Sequence, residues 1–503
     1  MKLGRYLNAS PLTIEGVGVA LFLTFFLILN INISLEVQPV WLDEVTVADP
    51  AVNLFQGNGF TSTGWQYQKK DEFWASNAPL HQILLFHWLK VFGFNPYSVR
   101  AISIFFFVIT IFLIWFTTVR LNILSSIIHR ILMLVLLLGG AGITMSYISG
   151  RYDCIGIFLV AMLFFTYTVK NDHIRMGLFI LTGILIPLAG IHLIPYVGVL
   201  GIILFIIMRK EIVSELLFTL LGICIGFAFL YTLYVTNDVF KVILASAGGH
   251  GLAGAVNPEI VHELPETDIA GKLLYVLQNI PFILFNRFKH IFRWYSQNIS
   301  YLILMIGIII SFIINLRQKK GSRLLLFGLA VGISVPMVLG FLRDYPFYYT
   351  WMAYLPLVIV FSSEIPGMFR NRIISIISLC VLAGIAVYPG FVHRFLSTVI
   401  IPSHYTEDYF NVSSKLSGLI LPEDVLYSDF PFYYAAKEKR NLTFLPTYKD
   451  MFSDDEKNSI SLLVIKPENE SFVLSFLGGT WQKIDEGMRN TPYGYSAYRR
   501  EER

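Results

Sequence analysis

Charge is scarce in this chain of 503 residues: 14% of them are Asp, Glu, Lys or Arg, against about 25% in soluble globular proteins. Cysteine is scarcer still. Cys154, Cys224 and Cys380 all fall inside apolar blocks, so neither a disulfide framework nor a zinc site can be assembled from them. The first apolar block follows a short basic head with Lys2 and Arg5 and lacks the small-residue cleavage site of a removable signal peptide, which predicts a retained anchor. There is no repeat at solenoid or propeller period and no low-complexity tract. A net charge of +4 says little by itself, since charge placement matters more than its total in membrane chains, and nothing supports a nucleic-acid partner.

Apolar residues make up 55% of the chain, and the mean hydropathy is +0.63. They come in blocks of roughly 18 to 23 residues, the length a helix needs to cross about 30 Å of hydrocarbon; barrel strands would alternate over about 10. The expected class is a polytopic all-α membrane protein with about eleven spans. These run near Thr13 to Leu35, Tyr97 to Val119, Ile131 to Ser149, Tyr152 to Val169, Met176 to Ile191, Leu193 to Met208, Ile212 to Val235, Ile299 to Leu316, Leu324 to Leu342, Phe347 to Phe361 and Ile373 to Pro389. Alternate short loops carry the basic residues: Arg120 and Arg130, Lys170 and Arg175, Arg209 and Lys210, the run from Arg317 to Arg323, and Arg370 with Arg372. The positive-inside rule therefore predicts a multi-pass protein of the cell membrane, with a cytoplasmic amino terminus and an extracytoplasmic carboxyl terminus. Residues 36–96 and 236–298 become long outer loops of a membrane domain over 1–390. Residues 391–503 are more charged and read as a small extracytoplasmic α/β domain: DVLYSD and SLLVIKP as strands, YTEDYFNVSSKLSGLI as an amphipathic helix.

In the first outer loop, Asp43 and Glu44 lie just beyond the first span, where a carboxylate can stay ionised and still meet a substrate whose tail is in lipid. Segments from Glu44 to Phe55 and from Leu80 to Phe92 have apolar faces but are short for crossing, so both are expected along the interface. Trp41, Trp65, Trp74 and Trp88 suit that depth. On spacing alone, the acidic pair could equally be solvated loop acids or helix caps.

The acidic pair, a helix ending in Gly57-Asn58-Gly59, an Asn-Ala-Pro-Leu turn at 77–80, and Phe-Gly-x-Asn-Pro-Tyr-Ser-Val-Arg leading into the second span resemble the GT-C glycosyltransferases. The resemblance is to the branch of protein O-mannosyltransferases and aminoarabinose transferases. SGRYDCIGIFLVAML at 149–163 and RDYPFYYTWMAYLPLVIV at 343–360 extend it over most of the membrane part. It implies a polyprenyl-phosphate sugar donor, transfer outside the cytoplasm with inversion, and a catalytic base at Asp43. The chemistry suits the residue type: an acceptor hydroxyl loses its proton as it attacks the anomeric carbon, and one carboxylate can take that proton. A phosphate leaving group needs no protonating acid, unlike glycoside hydrolysis with its paired carboxyls. Neighbouring helical residues point about 100° apart, so Glu44 is expected as an orienter or an acceptor contact rather than a second base.

Candidate groups for the donor phosphate are Arg151 and Arg343, each in a very short loop on the side where positive charge is otherwise scarce, with Tyr345 and Tyr349 beside Arg343. Arg151 with Asp153 reads equally well as a structural ion pair, and the tyrosines as an aromatic belt. Arg293 belongs to a basic, aromatic segment that could gather the phosphate or simply anchor lipid. The aminoarabinose branch has a basic residue where this chain has Asn77; His81, Lys69 and Lys70 are candidate replacements that the spacing does not choose between, and Asn77, His81, Asp153 and His250 are further candidate substrate contacts. His250, His262, Glu263, Glu266 and Asp268 match no compact metal template, so no metal site and no required cofactor are assigned, and a divalent ion is unsupported.

The expected partners are a polyprenyl-phosphate-linked sugar donor, membrane lipids, and an acceptor that is a lipid, a glycan or a protein. A polysaccharide polymerase or ligase using a lipid-pyrophosphate glycan is the alternative, because it too would gather outer arginines. A secondary transporter ranks lower, since ionisable residues here collect at span ends and not at midplane in two related halves.

Overall fold

The computed structural model describes residues 14–74, 78–239, 242, 278–318, 321–342, 347–365, 372–400, 404–488 and 490–501. Arg343, Tyr345, Asn77 and His250 lie outside the described residues. The chain divides into two compact units: Met1–Phe26, Phe106–Tyr147 and Asp153–Arg394 form the first, and Leu27–Phe105, Ile148–Tyr152 and Phe395–Arg503 the second.

The helices in chain order are α1 (Ile14–Val37), α2 (Leu42–Gln56), α3 (Pro79–Phe92), α4 (Pro96–Arg120), α5 (Ile127–Gly139), α6 (Ala141–Ile148), α7 (Asp153–Thr166), α8 (Asp172–Ala189), α9 (Leu193–Met208), α10 (Val213–Thr236), α11 (Ile280–Gln297), α12 (Ile299–Arg317), α13 (Arg323–Leu342), α14 (Trp351–Glu364), α15 (Arg372–Val387), α16 (His393–Ile400) and α17 (Tyr405–Leu419). Among the described residues, α1, α4, α8, α10, α12 and most of α13 are long and apolar enough to cross a membrane, and shorter apolar helices accompany them. The protein is a multi-pass membrane protein; among the described residues six helices, or seven if the bent pair α5–α6 is one span, meet that test by length and composition, where the sequence suggests about eleven spans.

The difference is clearest at 131–149, an unbroken apolar run in sequence that is two helices bent by 59° in the structure. Gly140 leaves the helical path with φ −66° and ψ 135°. The Tyr354 ring occupies the space a Cβ there would need, and its hydroxyl donates to the Leu136 carbonyl at 2.8 Å. Ser300 then accepts the Ala141 N–H at 3.2 Å and starts α6.

In the first unit, α8 and α10 meet through glycines. A Cβ at Gly183 would lie 2.5 Å from the Thr219 carbonyl oxygen, and Gly222 and Gly226 face the backbone of α8 as closely. Close approach of this kind is what holds helices together where lipid removes the hydrophobic drive.

The second unit carries the sheet. Strands β1 (Leu426–Ser428), β2 (Thr443–Phe444), β3 (Leu462–Ile465), β4 (Trp481–Gly487) and β5 (Tyr495–Arg500) are ordered β2-β1-β3-β5-β4, with β1 parallel to β2 and β3, and β5 antiparallel to β3 and β4. Every residue of β1 and β3 is buried, which is why LYS and LLVI read as short continuous runs instead of alternating patterns. The core beneath them includes Tyr427, Phe444, Leu463, Ile465 and Tyr498. The edge strand β4 exposes Lys483 and Glu486, charges that block further pairing. As the periodicity predicts, α17 buries Tyr409, Val412 and Leu416.

The first outer loop groups with this tail rather than with the bundle. Leu445 N–H donates to the Thr63 carbonyl at 3.3 Å, the Thr447 hydroxyl to the Gly64 carbonyl at 2.8 Å, and the Lys70 N–H to the Tyr448 hydroxyl at 2.9 Å.

Candidate active site

The site is built on α2, in the second unit. Trp41 precedes the helix in extended conformation and supplies no side-chain cap, so Asp43 and Glu44 in the first turn are the groups that complement its positive end. At the other end Gly57, with φ +89°, donates to the Asn53 and Leu54 carbonyls, and Asn58 N–H reaches Asn53 O at 2.8 Å. This left-handed closure needs glycine, and it accounts for the Gly-x-Gly seen in sequence.

The two acids diverge as helical geometry requires. The Asp43 side chain is 27% exposed and pairs with Arg151, itself only 4% exposed. Arg151 comes from the turn Ile148–Tyr152, where Gly150 has φ +64° and a Cβ would come within 3.2 Å of Glu44 Cγ. Trp41 Nε1 donates to the Ser149 carbonyl at 3.4 Å and Ser103 Oγ to the Arg151 carbonyl at 2.8 Å, so the turn is tied to both α2 and α4.

Glu44 has no exposed surface. Arg100 grips it in a fork, Nε to Oε1 at 3.0 Å and Nη2 to Oε2 at 2.7 Å, and Tyr434 donates to Oε1 at 2.8 Å. The remaining guanidinium donors serve the carbonyls of Ser34, Gln38 and Pro39. Glu44 is thus not available as an acceptor contact, which corrects that half of the expectation; its bonds orient α2. Burial, together with the Glu44 charge, holds the Tyr434 hydroxyl well above the ordinary tyrosine range.

A second buried knot lies further along α2. Asp49 Oδ2 accepts from Ser62 Oγ at 2.8 Å and Thr63 N–H at 2.9 Å, and Oδ1 accepts from Tyr433 at 2.8 Å. Lys437 Nζ lies 3.6 Å from Asp49 and donates to Asn53 Oδ1 at 2.7 Å. Burial lowers the affinity of Lys437 for its proton, and Asp49 partly restores it. Tyr433, Tyr434 and Lys437 belong to one short helix, α18 (Tyr433–Lys437). Helix α3 packs on α2 as well, Gln82 Nε2 donating to the Val47 carbonyl at 3.2 Å.

Of the other sequence candidates, His81 is buried in the first turn of α3, and burial reinforced by the Arg151 charge pushes it down to about 3. Tyr349 is buried in the first unit with its ring 5.3 Å from that of His192. Asp153 opens α7 in the same unit, also buried, and Arg293 is exposed on α11. The sequence alone did not single out Asp49, Tyr433, Tyr434 or Lys437, nor the role of Arg100. Tyr433, Tyr434 and Lys437 meet their α2 partners from 384 to 390 positions away, beyond any local spacing signal.

No family model matches the chain, and neither does any curated protein. Among solved structures it is similar to ArnT from Cupriavidus metallidurans bound to undecaprenyl phosphate, with a TM-score of 0.58 and 12% identity over 96% of this chain and 98% of that one. The apo state of the same protein gives 0.45 at 12% identity over the same shares. An Archaeoglobus fulgidus oligosaccharyltransferase tethered to an acceptor peptide with the NVT sequon gives 0.47 at 11% identity, covering 96% of this chain and 74% of that one. The likeness to ArnT shows the fold: the chain has the architecture of the GT-C glycosyltransferases.

Proposed function

We propose that this chain is an integral membrane glycosyltransferase that moves a sugar from a polyprenyl-phosphate donor to an acceptor hydroxyl on the extracytoplasmic side, with inversion and with Asp43 as general base. The observation that carries the reading is the Asp43–Arg151 pair. A partly exposed carboxylate is joined to a nearly buried arginine, on a helix whose other acids are fully committed to structure. A base needs access to the acceptor proton, and a phosphate leaving group needs a fixed cation; the pair offers both at one point. The shared fold with a protein that binds undecaprenyl phosphate supports the donor class.

In the reaction, the acceptor O–H gives its proton to Asp43 as the oxygen attacks the anomeric carbon. The bond from that carbon to the phosphate oxygen breaks, and its electron pair leaves on the polyprenyl phosphate, whose added charge Arg151 stabilises. One carboxylate suffices because the leaving phosphate needs no proton. Tyr349 and Arg293, with Arg343 and Tyr345, remain proposed donor contacts, and Asp153, Asn77 and His250 proposed substrate contacts. The basic loops support a cytoplasmic amino terminus and an outer site.

The test is to give the purified protein labelled undecaprenyl-phosphate sugars with envelope acceptors, and to analyse both products. Release of undecaprenyl phosphate with an inverted glycosidic bond is expected. Release of undecaprenyl pyrophosphate from a lipid-pyrophosphate glycan would replace this reading with the polymerase or ligase.

A further inference from the structure

Resting on that reading, we infer that α18, the short helix of the tail, is a positioning element for the base: Tyr434 and Tyr433 set the place of α2 from which Asp43 works, without themselves meeting substrate.

The bonds that carry this run the length of α2. Tyr434 donates to Glu44 Oε1 at 2.8 Å, Tyr433 to Asp49 Oδ1 at 2.8 Å and Lys437 Nζ to Asn53 Oδ1 at 2.7 Å, while Gln56 Nε2 donates to the Lys437 carbonyl at 2.7 Å. Three residues of α18 thus reach α2 from its first turn to its last residue. The six side chains in the first three bonds are all buried, where losing a partner leaves a polar group unsatisfied.

At about 100° per residue, Asp49, Asn53 and Gln56 lie about 120–180° round the helix from Glu44, and Asp43 lies about 100° the opposite way. The tail therefore holds one half of the circumference of α2, and the base stands on the other half with 27% of its side chain exposed. Groups on α18 act on Asp43 through the helix backbone.

Glu44 shows how the position is set. It is held between donors of two origins: Arg100, anchored on the carbonyls of Ser34, Gln38 and Pro39 at the end of α1, and Tyr434 from the tail. With one removed, the first turn follows the other. Asp43 is the preceding residue, so a shift of Glu44 carries the base with it, and a misplacement of about 1 Å can cost about 10²-fold in rate. The tail then belongs to the catalytic apparatus through geometry alone.

The experiment is a kinetic double-mutant cycle on the full chain in nanodiscs preloaded with the labelled undecaprenyl-phosphate sugar, comparing wild type, Tyr434→Phe, Asp43→Asn and the double variant. Phe keeps the ring contact of Tyr434 with Phe94, 5.5 Å between centroids, so the hydroxyl is the group removed. Tyr434→Phe should slow the first transfer by about 10- to 100-fold with donor affinity unchanged. In the Asp43→Asn background it should slow transfer by less than about twofold, because no base is left to misplace. A merely structural loss would slow both backgrounds by the same factor. Tyr433→Phe, whose partner Asp49 keeps its bonds from Ser62 and Thr63, runs the same cycle should Tyr434→Phe fail to fold. Equal slowing in the two backgrounds, a wild-type rate, or a loss confined to donor affinity would overturn the inference and leave the glycosyltransferase reading standing. A wild type that transfers no sugar, or no faster than Asp43→Asn, would overturn the base assignment and this inference together.

Discussion

Replacing Glu44 with Gln probes what holds the proposed base in place. Glu44 and Arg100 are both fully buried and joined by two bonds of 3.0 and 2.7 Å, with Tyr434 adding a third at 2.8 Å. The substitution leaves the guanidinium charge buried against an amide that keeps one acceptor oxygen and turns the other into an NH2 donor, and removing one partner of a buried pair costs about 3–5 kcal/mol. The carbonyls of Ser34, Gln38 and Pro39 keep three guanidinium bonds, so the expected loss sits at the lower end, about 3 kcal/mol. Tyr434→Phe removes one hydrogen bond to a charged acceptor and should cost about 1.5–3 kcal/mol. Since both variants act on the same carboxylate, their combination should fall short of the sum by about 0.5–3 kcal/mol. The pair Glu44→Leu with Arg100→Met removes both charges and should recover much of the stability. Equilibrium unfolding in mixed micelles, followed by tryptophan fluorescence, measures all four. A Glu44→Gln protein within about 0.5 kcal/mol of wild type would refute the reasoning, because it would mean the buried charge is satisfied without its carboxylate.

The second knot should behave similarly: Lys437→Met leaves Asp49 buried without its cation, and the same unfolding assay should show a loss of about 3–5 kcal/mol, with Lys437→Arg giving only partial repair. Gly222→Ile should force α8 and α10 apart and cost about 1–3 kcal/mol, read as a lower Tm, whereas the same change at Gly177, which has open space around it, should be nearly silent. Burial and the Arg151 charge push His81 down from its usual 6.5 to about 3 in the fold, so the unfolded chain takes up that proton first and stability falls as pH drops from 6.5 toward 3. The limiting loss is on the order of 5 kcal/mol at about 1.4 kcal/mol per unit. His81→Asn should flatten that acid limb by one proton, and an unchanged slope would contradict the buried, neutral assignment.

Much of the site's local frame was legible in the sequence. The apolar faces of 44–55 and 80–92 marked α2 and α3, and the Gly57-x-Gly59 pair marked the left-handed stop. The three- and four-residue spacing in 405–419 marked a tail helix that buries Tyr409, Val412 and Leu416. These signals are local because the physics behind them is local: helical period, backbone handedness and capping. The roles of the two acids were only half legible. Adjacent positions on a helix must diverge, but which carboxylate faces a fork of donors depends on Arg100 and on Tyr434, the latter 390 positions away. The broken helix at Gly140 was hidden for a related reason. Residues 131–149 are uniformly apolar, and the bend depends on a tyrosine at 354 that fills the space beside a glycine. The span count was the least legible part, because apolar segments such as α7, α9 and α14 form helices of only 14 to 16 residues among the described residues.

The proposed chemistry rests on Asp43, and a single-turnover experiment isolates it. Enzyme preloaded with undecaprenyl-phosphate sugar is mixed with acceptor, and the first transfer is timed for wild type and Asp43→Asn, with donor affinity measured separately. Loss of the base should slow transfer by about 10²- to 10⁴-fold while donor stays bound. Equal first-turnover rates in the two proteins would contradict the assignment of Asp43 as the proton acceptor.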